Sequence, residues 1–142
     1  MGEPARQFAD FLQQAGQACW QLLPVCPTSY GDSPYQSFST YAGNPYFIDL
    51  DELERQGYLR REEYENIDWE CGPDRINYGV LYEKRYPVLE KAAERFRENP
   101  PGDYETFCRE NARWLDDYAC FMALKDAHGG APWFDWEPAL RN

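Results

Sequence analysis

A loop between residues 24 and 50 carries side chains whose types suit the binding of a polyhydroxylated ligand. Its prolines and glycines interrupt any helical or strand period. It is nevertheless rich in aromatic rings, namely Tyr30, Tyr35, Phe38, Tyr41, Tyr46 and Phe47. Short hydrogen-bonding side chains lie between those rings, namely Asp32, Ser33, Gln36, Ser37 and Asn44. Because the C–H face of a sugar packs on a ring and its hydroxyls pair with amides and carboxylates, this composition favours contact with a carbohydrate.

The same composition also fits a second interpretation. A loop of this length in a compact domain is usually functional or disordered, and its aromatic content argues against disorder. An Ω-loop packed on its own rings would be equally aromatic, so the residues alone favour neither alternative. Asp32 suits a ligand contact or the cap of an Asx-turn, and its setting before Ser33-Pro34 favours the cap.

The charge balance argues against several classes of partner. The chain has 142 residues, with 25 Asp and Glu against 14 Lys and Arg, so its formal net charge is -11. An acidic surface without a basic stripe repels phosphate backbones, which predicts no nucleic-acid partner. The apolar runs are too short to span a bilayer, and the N-terminal residues lack the pattern of a signal peptide. We therefore expect no membrane partner and a cytoplasmic protein.

The cysteines predict neither disulfides nor a metal site. They are odd in number, widely spaced and without a C-x-x-C pair: Cys19, Cys26, Cys71, Cys108 and Cys120. Zinc sites use closely spaced ligand pairs, so this spacing is typical of reduced, mostly buried small side chains. We expect no metal and no other cofactor.

The first elements predict one step of a parallel sheet. Apolar residues from Phe8 to Cys19 follow a helical period, with Pro4 in the first turn and Gly16 at the end. Cys19–Val25 is predicted as a short buried strand. The aromatic loop would then leave the carboxyl end of that strand, which is where α/β barrels place their active sites.

The remainder predicts helices. Asp49 or Asp51 can cap a short helix that ends before Gly57. A longer helix is expected over about residues 78–97, with a kink or break at Pro87. A last long helix is expected from Asp103 to about residue 127, buried on more than one side. The fold class is therefore mostly α with one short buried strand, and because one strand cannot form a sheet we expect a fragment.

An ordered set of motifs resembles one enzyme family along essentially the whole chain. The upstream part of the set is Ala15-Gly16-Gln17, Trp20-Gln21-Leu22-Leu23-Pro24, Tyr30-Gly31-Asp32-Ser33-Pro34-Tyr35-Gln36-Ser37-Phe38-Ser39, Ala42-Gly43-Asn44-Pro45-Tyr46 and Ile48-Asp49-Leu50. The downstream part is Tyr78-Gly79, Tyr82-Glu83-Lys84-Arg85, Glu110 to Ala119, Phe121 to Lys125 and Gly129 to Trp133. These motifs resemble the amylomaltases, or disproportionating enzymes, which are 4-α-glucanotransferases of glycoside hydrolase family seventy-seven.

The resemblance implies a fold and a division of the chain. The family implies a (β/α)8 TIM barrel with inserted helical subdomains and no metal. Residues 1–28 would be a partial barrel, containing the first helix and second strand. Residues 29–102 would be an inserted substrate loop and helical subdomain, and residues 103–142 a long buried helix that returns toward the barrel.

The resemblance also implies an activity and a binding site. The family transfers a segment of an α-1,4-glucan to the 4-hydroxyl of an acceptor with retention, which requires a nucleophilic and an acid/base carboxylate. Those carboxylates lie on later strands of the family, so no residue here is assigned a catalytic role. Tyr35 would stack on a glucose ring, Ser33 would hydrogen-bond it, and Asp32 would border the same subsites. Tyr30 and Tyr78 would form an auxiliary surface that holds maltodextrins.

Other candidates have simpler interpretations. Asp116 and Asp117 are adjacent on a helix and point in different directions, so they do not form a catalytic pair. His128, the single histidine, is expected to interact with a helix C-terminus and not to act as a base. The isolated chain is expected to lack transferase activity. A non-catalytic glucan-binding or structural module is the alternative function.

Overall fold

The computed structural model describes residues 1–29, 31–72 and 74–141, which are mostly helical. Within them lie six α-helices: α1 (Glu3–Gln14), α2 (Leu50–Arg55), α3 (Tyr78–Glu98), α4 (Tyr104–Asn111), α5 (Leu115–Ala127) and α6 (Pro138–Arg141). Single 3-10 turns occupy Pro45–Phe47, Arg61–Glu63 and Trp133–Asp135. The chain forms two compact units, Met1–Pro101 and Gly102–Asn142, and each is described by itself.

The predicted strand at Cys19–Val25 is not present, and the expectation of one buried strand was wrong. The segment is irregular, and its end is tied by a hydrogen bond of 3.0 Å from the Asn44 N–H to the Val25 carbonyl. A strand needs a ladder to a second strand, and the described part of the chain supplies none. Its apolar side chains are consequently exposed, among them Trp20, Leu22, Leu23 and Val25.

Helix α1 forms as predicted from its sequence pattern. Pro4 lies in the first turn, where its missing N–H costs no hydrogen bond. Gly16 follows the helix with a φ of 71°, a conformation that glycine adopts without strain. Phe8 packs edge-on against Trp20, with ring centroids 4.9 Å apart. None of the α1 side chains is buried. The apolar face of α1 is therefore only partly covered, by contacts such as that with Trp20.

A small core holds α2 against α3 in the first unit. Its buried side chains are Leu50, Leu59, Tyr64, Val88 and Ala92. Asp49 caps α2 as expected, because its Oδ1 accepts the Glu52 N–H at 2.9 Å. Val88 in the middle of α3 is 3% exposed, which makes that turn of α3 the centre of the contact.

Helix α3 continues through Pro87, so of the kink or break expected at that proline the break is not present. Proline removes one backbone hydrogen bond and crowds the preceding turn, which destabilises an isolated helix. Here Val80, Val88 and Ala92 are buried on one face on both sides of the proline. Their burial holds the helix together across the missing hydrogen bond.

A two-pronged ion pair fastens α3 to the 3-10 turn Arg61–Glu63. The guanidinium of Arg95 donates to both carboxylate oxygens of Glu63, each at 2.7 Å, and also to the Tyr58 carbonyl at 2.9 Å. The hydrogen bonds from Arg95 lower the pKa of Glu63 to about 2. Paired donors of this kind fix geometry as well as charge.

In the second unit, the predicted single helix from Asp103 is two helices, α4 and α5. The side chain of Asn111 donates to the Phe107 carbonyl at 2.8 Å and accepts the Trp114 indole N–H at 3.0 Å. These local bonds satisfy the chain where α4 ends and so favour a turn over continuation of the helix.

The predicted burial of this region was also wrong. No side chain of α4 or α5 is buried. The buried residue of the unit among those described is Trp136, at 5% exposed. Apolar residues distributed around a helix cannot all be covered by so small a unit.

The cysteines are free, as their spacing predicts, but they are not buried. Cys19, Cys71 and Cys120 are exposed, and Cys26 and Cys108 are partly exposed. Within the described ranges, no helix is both long enough and apolar enough to cross a membrane.

The Glu63–Arg95 ion pair gives the first prediction. Replacing the carboxylate by an amide in Glu63→Gln removes the charge and leaves the partly buried guanidinium poorly matched. We expect the free energy of unfolding at neutral pH to fall by about 1–3 kcal/mol. Because the folded pKa of Glu63 is depressed, its contribution is present above the ordinary carboxyl pKa and is lost as the pH falls toward 2. The variant should therefore lose less stability than the wild type over that acid range, measured by urea unfolding.

Glu62→Gln is the matched control, because Glu62 is 70% exposed and its Oε1 makes only a long contact, 3.9 Å, with Arg60 Nη1. Such exposed ion pairs contribute little to stability. It should leave the neutral and acid unfolding midpoints unchanged. Equal stability of Glu63→Gln and Glu62→Gln would contradict the role assigned to the ion pair.

The exposed apolar face gives the second prediction. Phe8, Phe11, Trp20, Leu22 and Leu23 are each at least two-fifths exposed in one part of the first unit. Apolar patches of this kind promote association, so the chain should self-associate with a concentration dependence visible by sedimentation velocity. Leu23→Lys should weaken that association, whereas Ile76→Lys, which changes an exposed residue elsewhere, should not. A strictly monomeric wild-type chain would show that the face has no such effect.

Candidate functional site

Backbone hydrogen bonds fold the middle of the aromatic loop (residues 24–50) into a tight turn. The Ser29 N–H donates to the Gln36 carbonyl at 3.0 Å, and the Gln36 N–H donates to the Ser33 carbonyl at 3.1 Å. The Asp32 N–H donates to the Ser29 carbonyl at 3.1 Å. Residues 32–35 therefore protrude on a turn whose base is closed by the loop itself.

Three predicted site residues lie on this turn. Asp32 has a φ of 58°, a left-handed conformation that Asp tolerates better than most residues. The Ser33 hydroxyl accepts the Tyr35 N–H at 3.4 Å, which pairs these two residues. The Tyr35 side chain is 73% exposed, so its ring is open to a ligand.

The exit of the loop is fixed by a buried asparagine. The Asn44 Oδ1 accepts the Tyr46 N–H at 2.9 Å and so caps the 3-10 turn Pro45–Phe47. The Arg85 guanidinium, from α3, donates to the Ile48 carbonyl. Burial of Arg85 lowers its pKa, and the ring of Trp69 lies 5.8 Å from its guanidinium carbon. The loop exit is thus attached to α3.

Four tyrosines meet where the loop exit reaches α3, and we call them the tyrosine cluster: Tyr46, Tyr78, Tyr82 and Tyr86. The ring centroid of Tyr46 lies 6.0 Å from that of Tyr78 and 5.9 Å from that of Tyr86. The rings of Tyr82 and Tyr86 are 5.4 Å apart at 64°. Tyr46 is half-buried, whereas Tyr82 is 61% exposed, so the cluster has a packed base and an open side.

The negative charge of Asp32 acts on the half-buried tyrosine of this cluster, Tyr46. The pKa of Tyr46 is raised first by burial and then by the negative charge of Asp32, with smaller effects from Tyr82 and Tyr78. Asp32 and Tyr78, which were predicted from distant parts of the sequence, both act on the Tyr46 side chain: Tyr78 through ring packing and Asp32 through its charge. Tyr30, the remaining predicted contact, lies outside the described residues.

This arrangement offers groups suited to binding. It combines aromatic faces with phenol hydroxyls, which donate and accept, and with one carboxylate, which accepts. Among the residues described, no group of three His, Cys, Asp or Glu side chains is placed to hold a metal ion. Asp116 and Asp117 lie in the first turn of α5, as adjacent helix residues.

The sequence pattern did not single out Tyr46, Tyr82 and Tyr86 as members of one cluster. The signal was present in part, because positions 78, 82 and 86 recur every four residues and so share one face of a helix. Nothing in the local sequence indicates that Tyr46 would cross that face, since the contact joins residues 32 or more positions apart.

Comparisons with known proteins assign the family. The sequence profile of the 4-alpha-glucanotransferase family matches residues 1–142. A 4-alpha-glucanotransferase of Thermus thermophilus is 49% identical over 145 residues, which is 99% of this chain and 28% of that protein. One from Clostridium butyricum is 44% identical over 99% of this chain and 29% of its own length.

The structural comparison agrees. The amylomaltase from Streptococcus agalactiae, solved in complex with acarbose, aligns with a TM-score of 0.89 and 41% identity. The alignment covers 96% of this chain and 28% of that structure. The chain belongs to the 4-alpha-glucanotransferase family, and it spans under a third of the length of the relatives it matches.

The buried cap at Asn44 gives the third prediction. Asn44→Ala leaves the Tyr46 N–H without its acceptor and should cost about 1 kcal/mol of unfolding free energy. Because that bond orients Tyr46, we expect a change in the near-ultraviolet circular dichroism of the tyrosines. Asn44→Ser is the matched control, since it retains a capping oxygen and should preserve most of both properties. An unchanged spectrum and stability in Asn44→Ala would contradict the positioning role of this cap.

Proposed function

We propose that this chain is the part of a 4-alpha-glucanotransferase that holds the donor glucan beside the cleaved bond. Family membership along the whole chain supports this proposal most directly. The reaction transfers a segment of an α-1,4-glucan to the 4-hydroxyl of another glucan or of glucose with retention. We place residues 1–28 at the edge of a (β/α)8 barrel, with α1 as its first helix, in the cytoplasm.

The binding role is assigned to two groups of side chains. Tyr35 and Ser33 would contact one glucose unit, with the exposed Tyr35 ring under its C–H face and the hydroxyl of Ser33 at its edge. Asp32 would border the same subsites, whereas the tyrosine cluster, including Tyr78, would hold the glucan at an auxiliary surface together with Tyr30. The relative from Streptococcus agalactiae, solved with acarbose, supports a saccharide ligand for this family.

The chemistry is assigned to residues outside this chain. Retaining transfer needs two carboxyl groups about 5 Å apart, on opposite sides of the glycosidic bond. Of the acidic residues in the aromatic loop, Asp49 caps α2 and the charge of Asp32 raises the pKa of Tyr46. A water-poor cleft that favours a sugar acceptor over hydrolysis would also need walls from the rest of the protein.

Binding without turnover is the fourth prediction. The 142-residue chain should be retarded in affinity electrophoresis through glycogen or maltodextrin, and Tyr35→Ala should lose most of that retardation. Loss of one stacking ring corresponds to about a tenfold weaker association. Tyr41→Ala is the matched control, since it removes another exposed loop ring and should be retarded like the wild type.

Activity assays complete that test. Maltotriose incubated with the chain alone should yield neither glucose nor longer dextrins. Turnover by the chain would overturn the assignment of catalysis to residues outside it. Wild-type chain that migrates as if no glucan were present would instead favour a purely structural role. Glucan binding that is lost in Tyr35→Ala also fits the alternative function, a non-catalytic glucan-binding module. Transferase activity of a longer product of the same gene would exclude that alternative.

A further inference from the structure

His128, the single histidine of the chain, sits between two hydrogen-bond acceptors at the end of α5. Its Nδ1 lies 2.7 Å from the Leu124 carbonyl oxygen, and its Nε2 lies 2.8 Å from the Glu137 carboxylate. Neither of those oxygens can donate a proton while Glu137 is ionised. A neutral imidazole carries one N–H, so only the imidazolium can satisfy both contacts.

The ring of His128 also covers the buried residue of this unit. It stacks on Trp136 with centroids 4.9 Å apart and planes 21° from parallel. Trp136 has two further contacts. Its indole N–H donates to the Ala131 carbonyl at 3.1 Å, and its ring centroid lies 5.8 Å from that of Phe121. A protonated imidazole over an indole face adds a cation–π attraction that a neutral ring lacks.

Charged side chains lie on both elements that meet at the ring. From the C-terminal segment, the Glu137 carboxylate faces His128. On α5 itself, the neighbouring Lys125 ammonium is directed to the Gly130 and Ala131 carbonyls. The stack therefore responds mainly to the protonation of His128 and of Glu137.

We propose that His128 is a proton-operated clamp: as imidazolium it holds the segment 133–141 against the end of α5, and loss of the ring proton loosens that segment. The sign follows from the two partners. The pKa of His128 is raised, mainly by the Leu124 carbonyl and Glu137, so its contribution is full at acid pH and is lost as the pH rises through that pKa. The pKa of Glu137 is lowered by His128, so the clamp also weakens below the pKa of Glu137.

The clamp can be measured directly because the chain has one histidine. A chain labelled with 13C-histidine gives a single imidazole signal, whose titration by NMR reports the pKa of His128. The hydrogen-exchange protection of the Trp136 indole N–H, corrected for the intrinsic pH dependence, reports the docking of the segment. We expect protection to fall about three- to tenfold across the His128 titration, as for the loss of one hydrogen bond.

Two variants separate the clamp from general unfolding. Glu137→Gln removes the charge, so it should lower the pKa of His128; because its amide can also donate to Nε2 of the neutral ring, Trp136 protection should fall less across that titration than in the wild type. Glu105→Gln, in α4, is the matched control and should leave both midpoints in place. Protection of Trp136 that stays constant through the wild-type His128 titration would overturn the proposal, as would a His128 titration that Glu137→Gln does not shift.

Discussion

The attachment of α3 to α2 is the constraint on which the candidate site depends. The buried side chains of Leu50 and Val88 supply the contact, and the Glu63–Arg95 ion pair fixes α3 at a second point. Burial drives this contact without specifying an angle, whereas the paired hydrogen bonds specify a geometry. Because α3 also carries three of the four clustered tyrosines, the same contact that stabilises the unit places the rings that would meet a glucan.

The loop depends on α3 in turn. Its tip is held by its own backbone, but its exit is held by the Asn44 cap and by the bond from Arg85 to the Ile48 carbonyl. Tyr46 lies between these two attachments and packs on α3, close enough to Asp32 for that charge to raise its pKa. The aromatic loop therefore contains rings of both kinds. The Tyr46 ring packs against α3, as the packing interpretation expects, whereas the Tyr35 ring is open to a ligand, as the functional interpretation expects.

Structure that is determined locally could be predicted from the sequence, whereas structure that depends on distant partners could not. The cap at Asp49 and the end of α1 at Gly16 follow from residue chemistry within a few positions. The buried strand at Cys19–Val25 was wrong because apolar composition indicates burial but cannot supply the neighbouring strand that burial needs. Helix α3 has no break at Pro87 because tertiary packing outweighs the local effect of that proline. The motifs identified the family because their order is specific even where the elements around them were predicted incorrectly.

The proposed glucan-binding surface of this member of the 4-alpha-glucanotransferase family is formed by the loop tip and the tyrosine cluster. It can be tested by titrating the isotope-labelled chain with maltoheptaose and following the NMR chemical shifts. Saturable shifts are expected at the ring and amide signals of Tyr35 and of Tyr78, with little change in α4. The surface is ruled out if both tyrosines show no shift at saturating maltoheptaose, or if the shifts are confined to residues 102–141.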